Sequence, residues 1–397
     1  MARTRAKRIK RPNGAGSIYQ RRDGRWHARY TAIDPETGQR VRRSLYGATE
    51  QEARAKLISA LDALERGALP LHHGRTPTLA EYGQRWLSQC RVRPRTLHRY
   101  GELLEHALPS LGHLQLTRLE PHHVGNLLSR LRDDGLSART CNHVRAVLRN
   151  LLSEAKREGL VLRNVAELAR PLPLEGVREG TTLSAEQVRN LLAAAEHHRD
   201  GPLWVLALAT GARQSELIGL RWSDVDLERG RVTIARTLQR APRPLREEHG
   251  EWLEQPTKTR RSRRTIPLAS IAVEALHRQR RLQAEERLRA GSSWQDKWGD
   301  LVFREPDGSP LRGTKATQRL QAQLARLGLP RIRFHDLRHS AATFLALSGI
   351  PVATAMAVLG HSTSATTLNI YTHVAPELAR EAAEALDRVL RGDVERR

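Results

Sequence analysis

Residues 335–339 read His335-Asp336-Leu337-Arg338-His339, followed further along by Leu359-Gly360-His361 and Asn369-Ile370-Tyr371-Thr372-His373. Upstream stands Thr210-Gly211-Ala212-Arg213-Gln214-Ser215-Glu216-Leu217. Together these stretches hold the side chains needed to attack a phosphodiester without a metal. Arginine supplies planar, permanently charged donors for phosphate oxygens. Histidine exchanges protons near neutral pH, and tyrosine can act as a covalent nucleophile. A fold that gathered these groups would be equipped to cut and rejoin nucleic acid.

Phosphodiester transfer is limited by charge on the non-bridging oxygens and by expulsion of an alkoxide, so positioning and electrostatics supply most of the rate. Arg213 follows a helix expected to end at Gly211, and Arg338 lies in the His335–His339 segment. Together they could clamp both non-bridging oxygens. His361 could donate a further hydrogen bond, and Tyr371 could attack phosphorus. Lys258, in Gln255-Pro256-Thr257-Lys258-Thr259-Arg260, precedes a strand ending Thr265-Ile266-Pro267-Leu268 and could protonate the departing oxygen. Taken singly, a tyrosine is more often core or surface, and an arginine in a basic chain is usually a solvated charge. His335 and His339 stand at i,i+4, but Asp336 occupies the place of the glutamate in the zinc-protease pattern. His72-His73, His122-His123 and His197-His198 lack metal spacing and are expected at the surface. Neither a metal site nor a cofactor is expected.

The chain has 397 residues, enough for two or three domains. Lys plus Arg number 67 against 43 Asp plus Glu, a formal net charge of +24. Such an excess repels itself unless a polyanion sits beside it, and nucleic acid fits because each phosphate contacted releases counterions. An arginine-rich genome is the other source of such a balance. No stretch approaches the roughly 18 apolar residues of a membrane span, so no membrane partner is expected. The N-terminal residues 1–13 are strongly basic and lack the apolar segment of a signal peptide. They are expected to form a basic arm on DNA, or else a soluble tail. Cys90 and Cys141 are the only cysteines, too few for a disulfide framework and in keeping with a reducing cytoplasm. The expected location is cytoplasmic, on the nucleoid.

Three strands are expected at 17–22, 26–31 and 41–46, the first two joined by a two-residue turn at Asp23-Gly24. Trp26, Ala28 and Tyr30 alternate with His27, Arg29 and Thr31, giving one face to pack and one to face a groove. A helix starts at Thr49, capped with Glu52, along an apolar stripe of Ala53, Leu57, Ala60, Leu61 and Leu64. A three-stranded sheet can enter a major groove, with His27, Arg29 and Arg42 facing it; alternatively the unit merely docks on the rest of the chain. Residues 69–77 read as a linker. A helical bundle follows, with Thr78 and Glu81 forming a capping box and Gly135 and Gly159 at helix C-caps. A second linker spans 171–176. Beyond it, helices at 184–195 and 203–210 precede a strand-rich middle at 231–235 and 265–267, and helices resume from Ala316. Leu378, Ala382, Leu386, Val389 and Leu390 mark a terminal amphipathic helix that packs on its own domain or on a neighbouring protomer.

The order Arg213, Lys258, His335-x-x-Arg338, His361, Tyr371 resembles that of tyrosine recombinases, the integrase family of phages and mobile elements. The resemblance spans essentially the whole chain, with no departure at these positions; Lys258 is crowded by Arg260, Arg261, Arg263 and Arg264. It implies a multidomain, mainly α fold with small β-sheets. Its parts would be an arm-type DNA-binding domain at 14–68 (a three-stranded sheet plus helix), a helical core-site-binding domain at 78–170, and a mixed α+β tyrosine-recombinase catalytic domain with a C-terminal helix at 180–391. It further implies that Tyr371 forms a 3′-phosphotyrosine while Arg213 and Arg338 hold the phosphate. Lys258 would be general acid, His335 proton acceptor, His361 a phosphate ligand and Glu216 a supporting residue. The partners implied are double-stranded DNA attachment sites, a homotetramer assembled on that DNA, and, as accessories, a host bending protein and an excision factor. A type IB topoisomerase-like strand transferase and a non-catalytic DNA-binding regulator of the same fold are the alternatives.

Overall fold

The computed structural model describes residues 16–33, 40–65, 76–174, 182–257, 262–360, 368 and 371. The chain divides into two compact units, Met1–Gly176 and Val177–Arg397.

In the first unit, β1 (Ser17–Gln20), β2 (Trp26–Ile33) and β3 (Arg40–Gly47) form an antiparallel sheet in that order. The first turn is longer than the two-residue hairpin expected from Asp23-Gly24. Arg21 donates its N–H to the Arg25 carbonyl, Gly24 donates to that of Arg21, and Gly24 takes a φ of +80°. A tight turn followed by a left-handed glycine needs those extra residues, so β1 stops at Gln20 instead of Arg22. The register sets Tyr19 opposite His27 and His27 opposite Tyr46. Ala28, Tyr30 and Ala32 are buried against Ala53, Leu57 and Ala60 of α1 (Glu50–Glu65). Alternation along β2 therefore sorts the two faces as its sequence pattern requires. Thr49 caps α1 through the Glu52 N–H, while the Glu52 carboxylate reaches back to the N–H of Ala48, one residue before the expected donor. The side chain of Leu64 lies outside the described residues, as do the basic arm and residues 69–75 of the first linker.

The same unit contains α2 (Leu79–Gln89), α3 (Pro94–Glu105), α4 (Leu108–Leu111), α5 (Pro121–Asp133), α6 (Ala138–Arg157) and α7 (Val165–Leu168). Thr78 and Glu81 form the expected reciprocal cap of α2. Gly135 and Gly159 take φ of +90° and +72°, and behind them Leu136 and Leu160 donate N–H groups to Leu131 and Ala155. Each glycine thus ends a helix in the left-handed conformation that only it adopts cheaply. Leu79, Tyr82, Leu104, Leu128, Val144, Leu148 and Leu151 fill the core. On α6, Asn142 both donates to and accepts from the backbone of Leu172, and Arg145 donates to the carbonyls of Glu167 and Ala169. The chain leaving the bundle is thereby held on α6.

In the second unit, α8 (Ala185–Ala195), α9 (Gly201–Thr210) and α10 (Gln214–Ile218) precede β4 (Val225–Asp226), β5 (Arg231–Ile234) and β6 (Arg236–Arg240). Then follow α11 (Arg246–His249), β7 (Trp252–Pro256), β8 (Arg264–Pro267), α12 (Ser270–Ala290), α13 (Gly313–Arg326), α14 (Phe334–Leu347) and α15 (Val352–Leu359). Strands pair as β4-β5-β8, with β6-β7 as a separate hairpin. Helix α9 is apolar and buried almost all round, packing against α8, α12 and α14. Two elements depart from the sequence expectation. The β6–β7 hairpin carries a single fully buried leucine, Leu238, on β6, too little alternation to read. Helix α12 lacks a readable stripe because beyond Leu276 it buries Gln279 and Glu286, which bond to the Val302 carbonyl and to Arg199, in place of apolar residues. The terminal helix expected at Leu378–Leu390 lies outside the described residues.

Leu151 is fully buried on α6, so Leu151→Ala should destabilise the helical bundle by about 2–5 kcal/mol. Thermal unfolding followed by circular dichroism should show a lowered midpoint; an unchanged midpoint would contradict this packing.

Candidate active site

Three guanidinium groups converge where α9 and α15 end. Gly211 and Gly360 close these helices in the left-handed conformation, with φ of +58° and +68°. Arg338, near the start of α14 and only 4 % exposed, donates Nη1 to the carbonyls of Gly211 and Leu359, both at 2.7 Å. Arg213, the residue before α10, donates Nη2 to the Gly360 carbonyl at 3.4 Å. Arg264, at the head of β8, donates Nε to the Val358 carbonyl at 2.6 Å. The last carbonyls of a helix have no intrahelical partner and carry the negative end of its dipole, so they suit buried cations.

Glu216 is the carboxylate of the cluster. It is 2 % exposed and accepts from the Arg213 N–H at 3.0 Å, Arg213 Nη1 at 2.8 Å and Arg264 Nη2 at 3.1 Å. Burial pushes its pKa up, but the charge of Arg264 and these hydrogen bonds outweigh burial and hold it below the usual carboxylate range. Among the described residues, one carboxylate against three guanidiniums leaves a surplus of positive charge. Burial and the charge of Arg213 press Arg338 down to about 9, still a cation at neutral pH. Its Nη2 is buried and has no hydrogen-bond partner among the described residues. An unsatisfied buried cation of this kind gains most from an anionic ligand, and a phosphodiester oxygen matches its geometry.

His335 lies one helical turn before His339 on α14, the rings meeting edge to face at 5.2 Å. Desolvation by the surrounding protein, with His339 and Arg338 adding to it, pushes His335 down to about 4. Its imidazole is therefore neutral at pH 7 and can accept a proton. Asp336 does different work from a zinc-protease glutamate. It is buried, accepts the Arg333 N–H at 2.7 Å and pairs with the Arg333 guanidinium, capping α14. Ser340 accepts the Leu183 N–H and donates to the Asp336 carbonyl, tying α14 to the segment before α8. Among the described residues no group of three His, Cys, Asp or Glu side chains could hold a metal ion.

Tyr371 is separate from the arginine cluster in its bonding: its hydroxyl donates to the Ile350 carbonyl, just beyond α14, and burial pushes its pKa up. The structure thus brings Arg213, Glu216 and Arg338 into one network, places His335 beside Arg338, and engages Tyr371 elsewhere. Lys258 and His361 lie outside the described residues. Arg264 is the member that sequence reasoning passed over, having grouped it with the basic crowd around Lys258. The usable signal was the strand period: Arg264 shares a face with buried Ile266, while Thr265 points outward.

On the sheet of the first unit, Arg29 and Arg42 are exposed on the face opposite α1. His27 shares that face but is only 3 % exposed, its ring 4.9 Å from that of Tyr19 and 4.6 Å from that of Tyr46. Flanking tyrosines one position across on each neighbouring strand cover it, so it supports the surface more than it projects from it. Arg29 lies over the Tyr19 ring and Arg21 over the Tyr46 ring.

The phage integrase family profile matches residues 181–377, and that of the phage integrase N-terminal SAM-like domain matches 79–159. A tyrosine recombinase XerC-like protein of Caldanaerobacter subterraneus subsp. tengcongensis is 30 % identical over 368 residues, covering 89 % of this chain and 93 % of the relative. The chain belongs to the phage integrase family of tyrosine recombinases. An integrase of Saccharopolyspora erythraea is 26 % identical, covering 96 % of the recombinase and 98 % of the relative. Among solved structures, the Tn1549 transposon integrase in complex with transposon right end DNA shares the fold at a TM-score of 0.66. It is 22 % identical, covering 78 % of this chain and 99 % of that one. A lambda integrase tetramer bound to a Holliday junction follows at 0.52 and 19 % identity, covering 91 % and 96 %. The mainly α, multidomain architecture with small antiparallel sheets agrees with these neighbours. The recombinase is a site-specific DNA recombination enzyme. No helix among its described residues is long and apolar enough to cross a membrane.

The depressed value of His335 has a testable sign. Above the ordinary value of 6.5 it contributes nothing to stability. As pH falls from there toward 4, the unfolded chain takes up a proton that the folded one refuses, so the folded state loses stability. Solvent contact at His335 moderates the size of that loss. Histidine NMR of the free recombinase should show His335 titrating well below 6.5; a midpoint at or above that value would contradict the neutral-base geometry.

Proposed function

We propose that the recombinase cleaves and rejoins double-stranded DNA through a covalent tyrosine intermediate, integrating or excising a mobile element. The observation that carries the chemistry is the buried Arg338, whose Nη2 has no partner among the described residues, set in one network with Arg213. In this scheme Arg213 and Arg338 hold the non-bridging oxygens of the scissile phosphate, and His361 adds a hydrogen bond. Preorganised donors of this kind need no reorganisation as charge develops in the transition state. Tyr371 leaves the Ile350 carbonyl and its Oη attacks phosphorus. Its proton passes to neutral His335, the bond to O5′ breaks, and Lys258 protonates that oxygen. The products are a 3′-phosphotyrosine and a free 5′-hydroxyl. Rejoining is the reverse attack by a 5′-hydroxyl, and because the phosphotyrosine keeps the bond energy no ATP is consumed.

The domains divide the remaining work. Residues 14–68 bind arm sites through the outer sheet face, with Arg29 and Arg42 as contacts and His27 supporting them; residues 1–13 add a basic arm. Residues 78–170 bind the core site, and residues 180–391 carry the catalytic residues. The net charge of +24 supports DNA as the polyanionic partner. Four protomers assemble on paired attachment sites and exchange strands sequentially, with a host bending protein and an excision factor as accessories. This work takes place in the cytoplasm, on the nucleoid.

Tyr371→Phe should retain DNA binding yet yield no covalent protein–DNA adduct on a nicked suicide duplex; a persisting adduct would remove Tyr371 from the nucleophile's role. Deletion of residues 1–70 should spare core-site binding and impair recombination between full attachment sites. Unchanged recombination would refute the arm role.

A further inference from the structure

Arg264 is buried, at 9 % exposure, and each of its guanidinium nitrogens serves a different part of the chain. Nη2 bonds Glu216 at 3.1 Å, Nε the Val358 carbonyl at 2.6 Å, and Nη1 the Ser262 carbonyl at 3.1 Å. We infer that Arg264 is a positioning residue for recombination, holding the chain that follows Lys258 against the Arg213 turn and the end of α15, so that Lys258 is the catalytic group that depends on it. The inference rests on the catalytic roles proposed above. Glu216 belongs to the Arg213 turn. Ser262 lies four residues after Lys258, and Val358 three before His361.

Charge balance alone does not call for such a residue. Arg213 already pairs with Glu216, through both its backbone and its guanidinium. The other two bonds of Arg264 run to main-chain carbonyls, each on a segment leading to a separate catalytic side chain. The fit is close: a Cβ added at Gly360 would stand 2.8 Å from Arg264 Nη1. Gly360 therefore allows the end of α15 to approach the guanidinium directly. A rigid planar fork can hold three acceptors at once, whereas a lysine ammonium acts as a point charge on a flexible stem. Arg264→Lys thus keeps the charge opposite Glu216 and loses the three-way register.

The consequence is specific to the chemistry. If Arg264 holds the Lys258 segment in register, losing that register removes the acid that protonates the departing O5′. Misplacing a catalytic group by about 1 Å costs on the order of 100-fold in rate. Replacing O5′ by sulfur makes the leaving group one that needs no protonation.

The test uses the full-length chain and nicked suicide duplexes made from the junction DNA that bounds the element carrying its gene. Each duplex is prepared with oxygen or sulfur at the scissile 5′ position. Unsubstituted recombinase, Arg264→Lys and Lys258→Ala are compared by the rate of covalent adduct formation, with thermal unfolding confirming that each is folded. Arg264→Lys should cleave the oxygen substrate about 100-fold slower and return to within a few-fold of the unsubstituted enzyme on the sulfur substrate, as Lys258→Ala should. Rescue of Lys258→Ala with equal slowing of Arg264→Lys on both substrates would overturn the inference and leave the role of Lys258 standing. An undiminished rate of Arg264→Lys on oxygen would overturn it as well. Failure of sulfur to rescue Lys258→Ala would instead overturn the general-acid assignment, and the inference with it. Should Arg264→Lys unfold, Arg264→Gln, which keeps a planar donor without the charge, is read on the same two substrates with the same outcomes.

Discussion

A guanidinium leaves water at a large cost unless carbonyls or carboxylates replace its solvation, and the catalytic unit meets this requirement at the ends of two helices. Helices α9 and α15 finish in left-handed glycines, and their terminal carbonyls face the cluster. Gly211, Val358, Leu359 and Gly360 together accept from Arg338, Arg264 and Arg213. Leu359 also packs against Gly211, where an added Cβ would stand 2.3 Å from Leu359 Cδ2. The two helix ends are therefore joined by apolar contact and by shared guanidiniums at once. Helix α9 can deliver its end to this point because it is apolar on nearly every side and buried among α8, α12 and α14.

This arrangement leaves the site short of negative charge. Among the described residues Glu216 alone opposes three arginines, and Arg338 is held below its ordinary basicity by burial and by Arg213. A phosphodiester would bring a negative charge and a hydrogen-bond acceptor together, which is why the proposed function sets the scissile phosphate against these arginines. Tyr371, the nucleophile of the proposed scheme, is bonded to Ile350 and raised in pKa by burial, so in that scheme it needs both relocation and a base. His335, neutral beside Arg338, is the base we propose. The proposed chemistry then depends on two events, arrival of phosphate and movement of Tyr371.

The two domains to which we assign DNA binding rest on different physics. The sheet over α1 presents an outer face where His27 is enclosed by Tyr19 and Tyr46, and arginines lie across the tyrosine rings. Ring stacking fixes the shape of this face, as the proposed DNA-binding role requires. The bundle of α2–α7 depends instead on a leucine-rich core and on glycine C-caps, and α6 grips the chain that leaves it through Asn142 and Arg145.

Much of this was legible in the linear chain, for reasons that can be named. Period-two alternation at Trp26–Tyr30 assigned the faces of the sheet, and Thr78, Gly135 and Gly159 marked helix ends because caps are local chemistry. Arg213, Glu216, His335, Arg338 and Tyr371 stood out because their types and order suit phosphodiester transfer. Helix α12 was not legible, since its buried polar residues are satisfied by partners distant in sequence, Arg199 and Val302, and the β6–β7 hairpin was not because its buried positions show too little alternation. The sequence by itself determined which side chains could do the chemistry and where local caps begin and end helices. Only the tertiary structure decided that Arg264 joins the cluster, that Arg338 keeps one nitrogen without a partner among the described residues, and that Tyr371 bonds to Ile350. Those outcomes depend on which carbonyls remain without partners once α9, α14 and α15 have packed, and no local pattern encodes that.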